Sequence, residues 1–103
     1  MPEKYQPPYY AVIFISTLSD NIDGYTEMAD EMLKLARRMP GFLGFESARE
    51  QIGISVSFWQ DEAAIENWRR HSRHRLAQKQ GYEQWYESFE LHVARVERFK
   101  RYP

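Results

Sequence analysis

Tyr9-Tyr10-Ala11-Val12-Ile13-Phe14-Ile15-Ser16 is apolar on both of its alternating faces. Tyr9, Ala11, Ile13 and Ile15 fall on one side of an extended chain, and Tyr10, Val12 and Phe14 on the other. Side chains alternate across a strand, so residues 9–16 read as a β-strand that needs cover on both sides. The rest of the chain is read by asking what supplies that cover.

Upstream, residues 1–8 carry three prolines, Pro2, Pro7 and Pro8, which cannot donate to a sheet ladder. They are expected to form an extended arm, with a single domain over residues 9–103. Downstream, Tyr25, Met28, Ala29, Met32, Leu35 and Ala36 recur at helical spacing, while Asp30, Glu31, Lys34, Arg37 and Arg38 take the polar side. This predicts an amphipathic helix over about residues 21–39, with Asp20, Asn21 or Asp23 as its cap. Pro40 and Gly41 stop it.

Residues 42–50 and 52–59 are two strand-like runs joined around Gln51, an antiparallel hairpin by their proximity. In the second run Ile52, Ile54, Val56 and Phe58 share one face, and Gly53, Ser55, Ser57 and Trp59 the other. Small residues beside a large ring let a helix pack closely or leave room for a ligand. Asp61 caps a second helix carrying Ala64, Ile65 and Trp68, with a kink expected near His71-Ser72 and a continuation through Leu76 towards Gly81. Tyr82, Trp85 and Tyr86 then lead into a last strand over residues 88–99. There Phe89, Leu91 and Val93 lie on one face and Ala94 and Val96 on the other, which predicts a bulge or a strand end leaving its sheet.

The order is β, α, β, β, α, β: an α+β domain with a ferredoxin-like antiparallel sheet. Two helices in that order cover one face of a four-stranded sheet, yet the first strand is apolar on both. A second copy of the chain is the simplest cover for the other face, so a homodimer is expected. The tail from Arg98 to Pro103 is basic and read as solvated.

Composition narrows the function. Lys+Arg 14 against Asp+Glu 15 gives a net charge of −1, which supplies no footprint for nucleic acid. The chain has no cysteine, so disulfides, thiolate catalysis and Cys-ligated metal centres are excluded. It shows no leader-like segment and no apolar run of the roughly 20 residues that span a bilayer, so no membrane role is expected and a cytoplasmic location is.

Met39-Pro40-Gly41-Phe42, Ser57-Phe58-Trp59 running into Asp61-Glu62-Ala63, and Asn67-Trp68 resemble the antibiotic biosynthesis monooxygenase superfamily from about residue 9 to 98. The resemblance implies a dimeric α+β barrel, with two sheets face to face and a pocket in each protomer between sheet and helices. It includes enzymes that oxygenate aromatic polyketides or quinols without metal or flavin, enzymes that open haem, and proteins with no assigned reaction. The haem-opening branch pairs a first-strand Asn and a helix Trp with a later His. Here the first strand has no Asn, and the family's spacing onward from Trp68 lands on Gln78.

Cofactor-free oxygenation needs a base, donors for a developing anion and a dry cavity. His71 and His74 are the candidate catalytic bases, because imidazole titrates near neutral pH. Trp59, Trp68, Gln78, Tyr82, Trp85 and Tyr86 are the candidates for binding a small aromatic molecule by stacking or hydrogen bonding. His71, His74 and Gln78 share one helical face if the helix is continuous there, and otherwise form a polar edge beside Arg69, Arg70, Arg73 and Arg75. Burial of a large apolar ring stabilises by roughly 1.5–3 kcal/mol, so core packing alone also accounts for each Trp. No metal site and no cofactor is expected. Two functions follow, a cofactor-independent monooxygenase of a small aromatic compound or a dimer that binds a small molecule without turnover, with a haem-degrading enzyme as a third reading that Gln78 and the missing Asn count against.

Overall fold

The computed structural model describes residues 4–103, so Met1, Pro2 and Glu3 of the expected arm lie outside it. β1 (Tyr9–Leu18), β2 (Phe42–Arg49), β3 (Gly53–Trp59) and β4 (Tyr86–Val96) form one antiparallel sheet in the order β2-β3-β1-β4. α1 (Tyr25–Ala36) links β1 to β2, while α2 (Glu62–Arg70), α3 (Ser72–Gln80) and a π-helical turn (Gly81–Trp85) link β3 to β4. This is the ferredoxin-like α+β arrangement expected from the pattern of elements. No helix among the described residues is long and apolar enough to cross a membrane.

Strand register decides which residues face the helices. Tyr10 pairs with Trp59, Val12 with Ser57, Phe14 with Ser55 and Ser16 with Gly53, and directly opposed residues share a face. Trp59 is fully buried on that side, packed with Ala36 and Ala64 and bordered by Val12, Met39, Phe42, Ile65 and Trp68. The small serines of β3 therefore sit beside the main core ring, and the Trp59 indole N–H donates to Ser57 Oγ at 2.9 Å.

The opposite face carries Ala11, Ile13 and Ile15 of β1 against Phe58, Val56 and Ile54 of β3. No helix covers it. One end is closed by the chain's own termini: the Tyr5 ring lies 5.5 Å from Phe58, 5.4 Å from Tyr9 and 5.2 Å from Phe99, with the Arg101 guanidinium over Tyr5 and Phe99. Tyr5 also presses on Gly44, where a Cβ would overlap its hydroxyl. The basic tail is thus partly docked through Phe99, whereas Lys100, Arg101 and Tyr102 are exposed as expected.

Several local expectations are corrected. α1 starts at Tyr25 behind Gly24, which has φ +82 and no side-chain cap. Of the expected caps, the Asn21 side chain is engaged elsewhere, its Oδ1 accepting from Gln84, and the backbone carbonyl of Asp23 accepts from the Trp85 indole at 2.9 Å. These bonds tie the β1–α1 loop to the π turn. Tyr82 and Trp85 lie in that turn rather than in an extended lead-in, and β4 begins at Tyr86 and ends at Val96. β4 has no bulge in its middle, since its register against β1 is unbroken from Ser88 to Val96. Its apolar side changes because Val93 faces the helix layer while Ala94 and Val96 pair with Ala11 and Tyr9 under the terminal cluster. The shift falls at Thr17/Leu18 instead. By contrast, Asp61 caps α2 as expected, its Oδ1 accepting from Ala64 N at 2.8 Å.

Gly41 joins α1 to β2 with φ +83, and a Cβ there would stand 2.6 Å from Ala64 Cβ. Gly24 has a similar φ, but its Cβ would meet Trp85 at an ordinary 3.8 Å. The left-handed conformation costs a non-glycine residue about 1–2 kcal/mol. Gly24→Ala is therefore expected to lose that much stability in urea unfolding and Gly41→Ala clearly more, because the second clash forces α2 away from the sheet. Equal losses would contradict this account.

Candidate functional site

The chain between α2 and α3 is broken at His71, whose φ −58 and ψ 133 are not helical. The expected kink is a full break, so His71, His74 and Gln78 do not share one continuous helical face. His71 instead caps α3, its Nδ1 accepting from Arg73 N at 3.2 Å. That use of Nδ1 leaves the proton of neutral His71 on Nε2. His74 and Gln78 remain one turn apart on α3.

The break lets α3 fold back so that the His74 imidazole lies parallel on the Trp68 indole, with centroids 4.5 Å apart and planes at 12°. His74 Nδ1 is also 3.0 Å from the Trp68 carbonyl. A carbonyl can only accept, so Nδ1 carries the proton and Nε2 is the basic nitrogen of the neutral ring. The same indole also stacks with the Trp59 ring, centroids 6.2 Å apart. Trp68 is thereby a brace between the core ring and the imidazole. α3 is held against α1 by the two-pronged Arg73–Glu31 ion pair.

Burial pushes the His74 imidazole below the ordinary histidine value, and the nearby His71 and Arg69 charges act in the same direction. The bond to the Trp68 carbonyl opposes them. His74 is accordingly neutral through the neutral pH range, the form in which Nε2 can take a proton.

The other sequence candidates divide. Trp59 belongs to the His74 end, but it is fully buried and its N–H is spent on Ser57. Tyr82, Trp85 and Tyr86 gather at the far end of the same layer around Phe14, Tyr25 and Phe89. Trp85 is buried with its N–H donated to Asp23, whereas Tyr82 is 69% exposed. Gln78, one turn beyond His74 on α3, lines a surface hollow of about 350 Å³ with Arg69, Arg70 and Arg75. Among the described residues no three His, Asp or Glu side chains converge as a metal site.

Sequence reading missed Ser16, Tyr25 and Arg49. Ser16 is a buried hydroxyl, and Arg49 donates to both its side chain and its carbonyl. The only signal was a polar residue ending an otherwise apolar strand.

A ferredoxin-like antiparallel sheet with helices on one face is the fold that a resemblance to the antibiotic biosynthesis monooxygenases implies. A family model of that description matches residues 8–80, and the chain belongs to this family. It is 50% identical over 95 residues to "Uncharacterized protein YqjZ" of Bacillus subtilis, covering 90% of this chain and 83% of that one. SnoaB of Streptomyces nogalater, described as a cofactor-independent oxygenase, superposes with a TM-score of 0.75 at 11% identity, covering 89% of this chain and 96% of that one. A conserved protein from Methanosarcina mazei reaches a TM-score of 0.77 at 12% identity, over 87% and 94% of the two chains. At such identities the likeness to solved structures is one of fold.

The lowered His74 value has a consequence for stability. Its charged form is disfavoured in the folded state, so the contribution is whole above the unfolded value near 6.5 and is lost as pH falls through the folded value. His74→Gln, which cannot titrate, is expected to flatten the fall in melting temperature between pH 7.5 and pH 5. An unchanged pH profile in the variant would rule out His74 as the titrating group.

Proposed function

We propose that this protein is a cofactor-independent monooxygenase of a small phenolic, quinol or polyketide-like compound, with His74 as its general base. The observation that carries this reading is the His74–Trp68 pair. Stacking and the carbonyl bond together leave a neutral imidazole with its basic Nε2 unspent, on a member of a monooxygenase family. Proton removal makes an electron-rich aromatic anion, which can itself reduce O₂. One oxygen atom enters the substrate as a carbonyl, the other leaves as water with the two hydrogens lost, and the substrate supplies all the electrons. Trp68 acts as a positioning residue, since its ring and carbonyl set the imidazole. His71, by capping α3, fixes where that helix starts.

The test is oxygen consumption with a panel of dihydroxyaromatic and anthrone-type compounds. His74→Gln is expected to lower kcat by about 10²–10⁴, the usual contribution of a positioned general base. Trp68→Phe keeps a stacking ring and the carbonyl and is expected to lower it far less. Wild-type consumption no faster than buffer, or an unaffected His74→Gln, would refute the assignment.

The protein is further proposed to work as a homodimer through the uncovered sheet face. Ile13, Ile15, Ile54 and Val56 form its open part, and Ile54 is 47% exposed. A charge there cannot be buried unpaired without large cost. Ile54→Glu is therefore expected to convert a dimer into a folded monomer, read by light scattering with circular dichroism as the folding control. A monomeric wild type would refute this arrangement.

A further inference from the structure

The helix layer does not cover β4. Phe89, Leu91 and Val93 point to the helix side of the sheet, opposite Ser16, Phe14 and Val12, yet Leu91 is 53% and Val93 49% exposed. They form an apolar shelf that ends at a cation. Arg49, on β2, folds its guanidinium over Gly53, where any Cβ would collide with it, and donates to Ser16. Its Cζ stands 5.9 Å from the Tyr25 ring, which packs edge-on against Tyr86 with centroids 5.9 Å apart, and its charge acts on the Tyr86 phenol. Among the described residues no carboxylate pairs with Arg49, whereas Arg69, Arg70 and Arg73 each have one. A guanidinium carries five donors, and only two are directed at Ser16.

From this geometry we propose that the Arg49 end of the layer is a binding site for an aromatic carboxylate. The ring lies on the Phe89–Leu91 shelf and the carboxylate takes the free fork of Arg49, with the Tyr86 hydroxyl beside it. Arg matches a carboxylate in a two-pronged, charge-assisted bond, and the shelf supplies the apolar contact an aromatic body needs. Burial pushes the Tyr86 phenol well above its ordinary value, so it stays a hydrogen-bearing donor rather than a competing anion. This end is remote from the imidazole. Tyr10, opposite Trp59, and Ser16 are six residues apart on β1, roughly 20 Å. The site therefore stands independently of His74 as a base.

The test is calorimetric titration with 2-naphthoate and with its uncharged analogue 2-naphthamide in oxygen-free buffer, so that turnover plays no part. The carboxylate is expected to bind ten- to a hundredfold more tightly, the range for one charge-assisted pair. Arg49→Gln is expected to erase that preference while retaining naphthamide binding, Arg49→Lys to keep part of it, and Arg75→Gln to leave it intact. If Arg49→Gln does not fold, Tyr86→Phe serves in its place and is expected to narrow the preference. No binding of 2-naphthoate, equal binding of the two compounds, or a preference lost in Arg75→Gln but kept in the Arg49 variants would overturn the proposal.

Discussion

β1 is the strand on which everything else is hung, because it pairs on both edges and is apolar on both faces. Its partners β3 and β4 satisfy the backbone, but only one of its faces lies under helices. The buried Trp59 anchors that covered face among small neighbours, Ser57, Ala36 and Ala64, and Gly41 in turn leaves room for Ala64 where α1 gives way to β2. A close-packed interior tolerates little change of volume at such points. The other face is left to the termini at one end and stays bare at the other.

Placing the core around Trp59 determines what the second crossover can do. α2 lies over the Trp59 end, the chain breaks at His71, and α3 returns against α1 through Arg73 and Glu31. The break converts a predicted row of three polar side chains into a different device: one histidine caps a helix and another is pressed on an indole. Desolvation then sets the ionisation of His74, and the carbonyl of Trp68 sets which nitrogen is basic. Neither effect requires a metal or a charged partner.

The uncovered half of β4 is the counterpart of this compact corner. Helices that crowd towards β3 leave the Phe89–Val93 side open, and the π turn places Tyr86 and Trp85 against the start of α1. The layer has an imidazole at one end and a guanidinium at the other, with apolar rings along its floor.

Local pattern in the amino-acid sequence was enough to order the elements. Alternation marks β1 and β3, helical spacing marks α1, Asp61 marks the start of α2, and the double-sided β1 shows that one face lacks a helix. Those signals are short-range, because each depends on neighbours within one turn or one pleat. Gly24 replacing the acidic cap, the π turn and the unbroken register of β4 were decided by contacts between residues about 60 to 80 positions apart, such as Asp23 with Trp85 and Ala11 with Ala94. The site divides in the same way. Trp68 and the histidines were legible as residue types, but whether a ring stacks, caps or opens to solvent depends on how α3 folds back. Arg49 and Ser16 became a pair only when β2 and β1 were brought together across β3, 33 residues apart in sequence. Pattern within a strand or helix carries no record of such a meeting, since strand order is a property of the folded sheet.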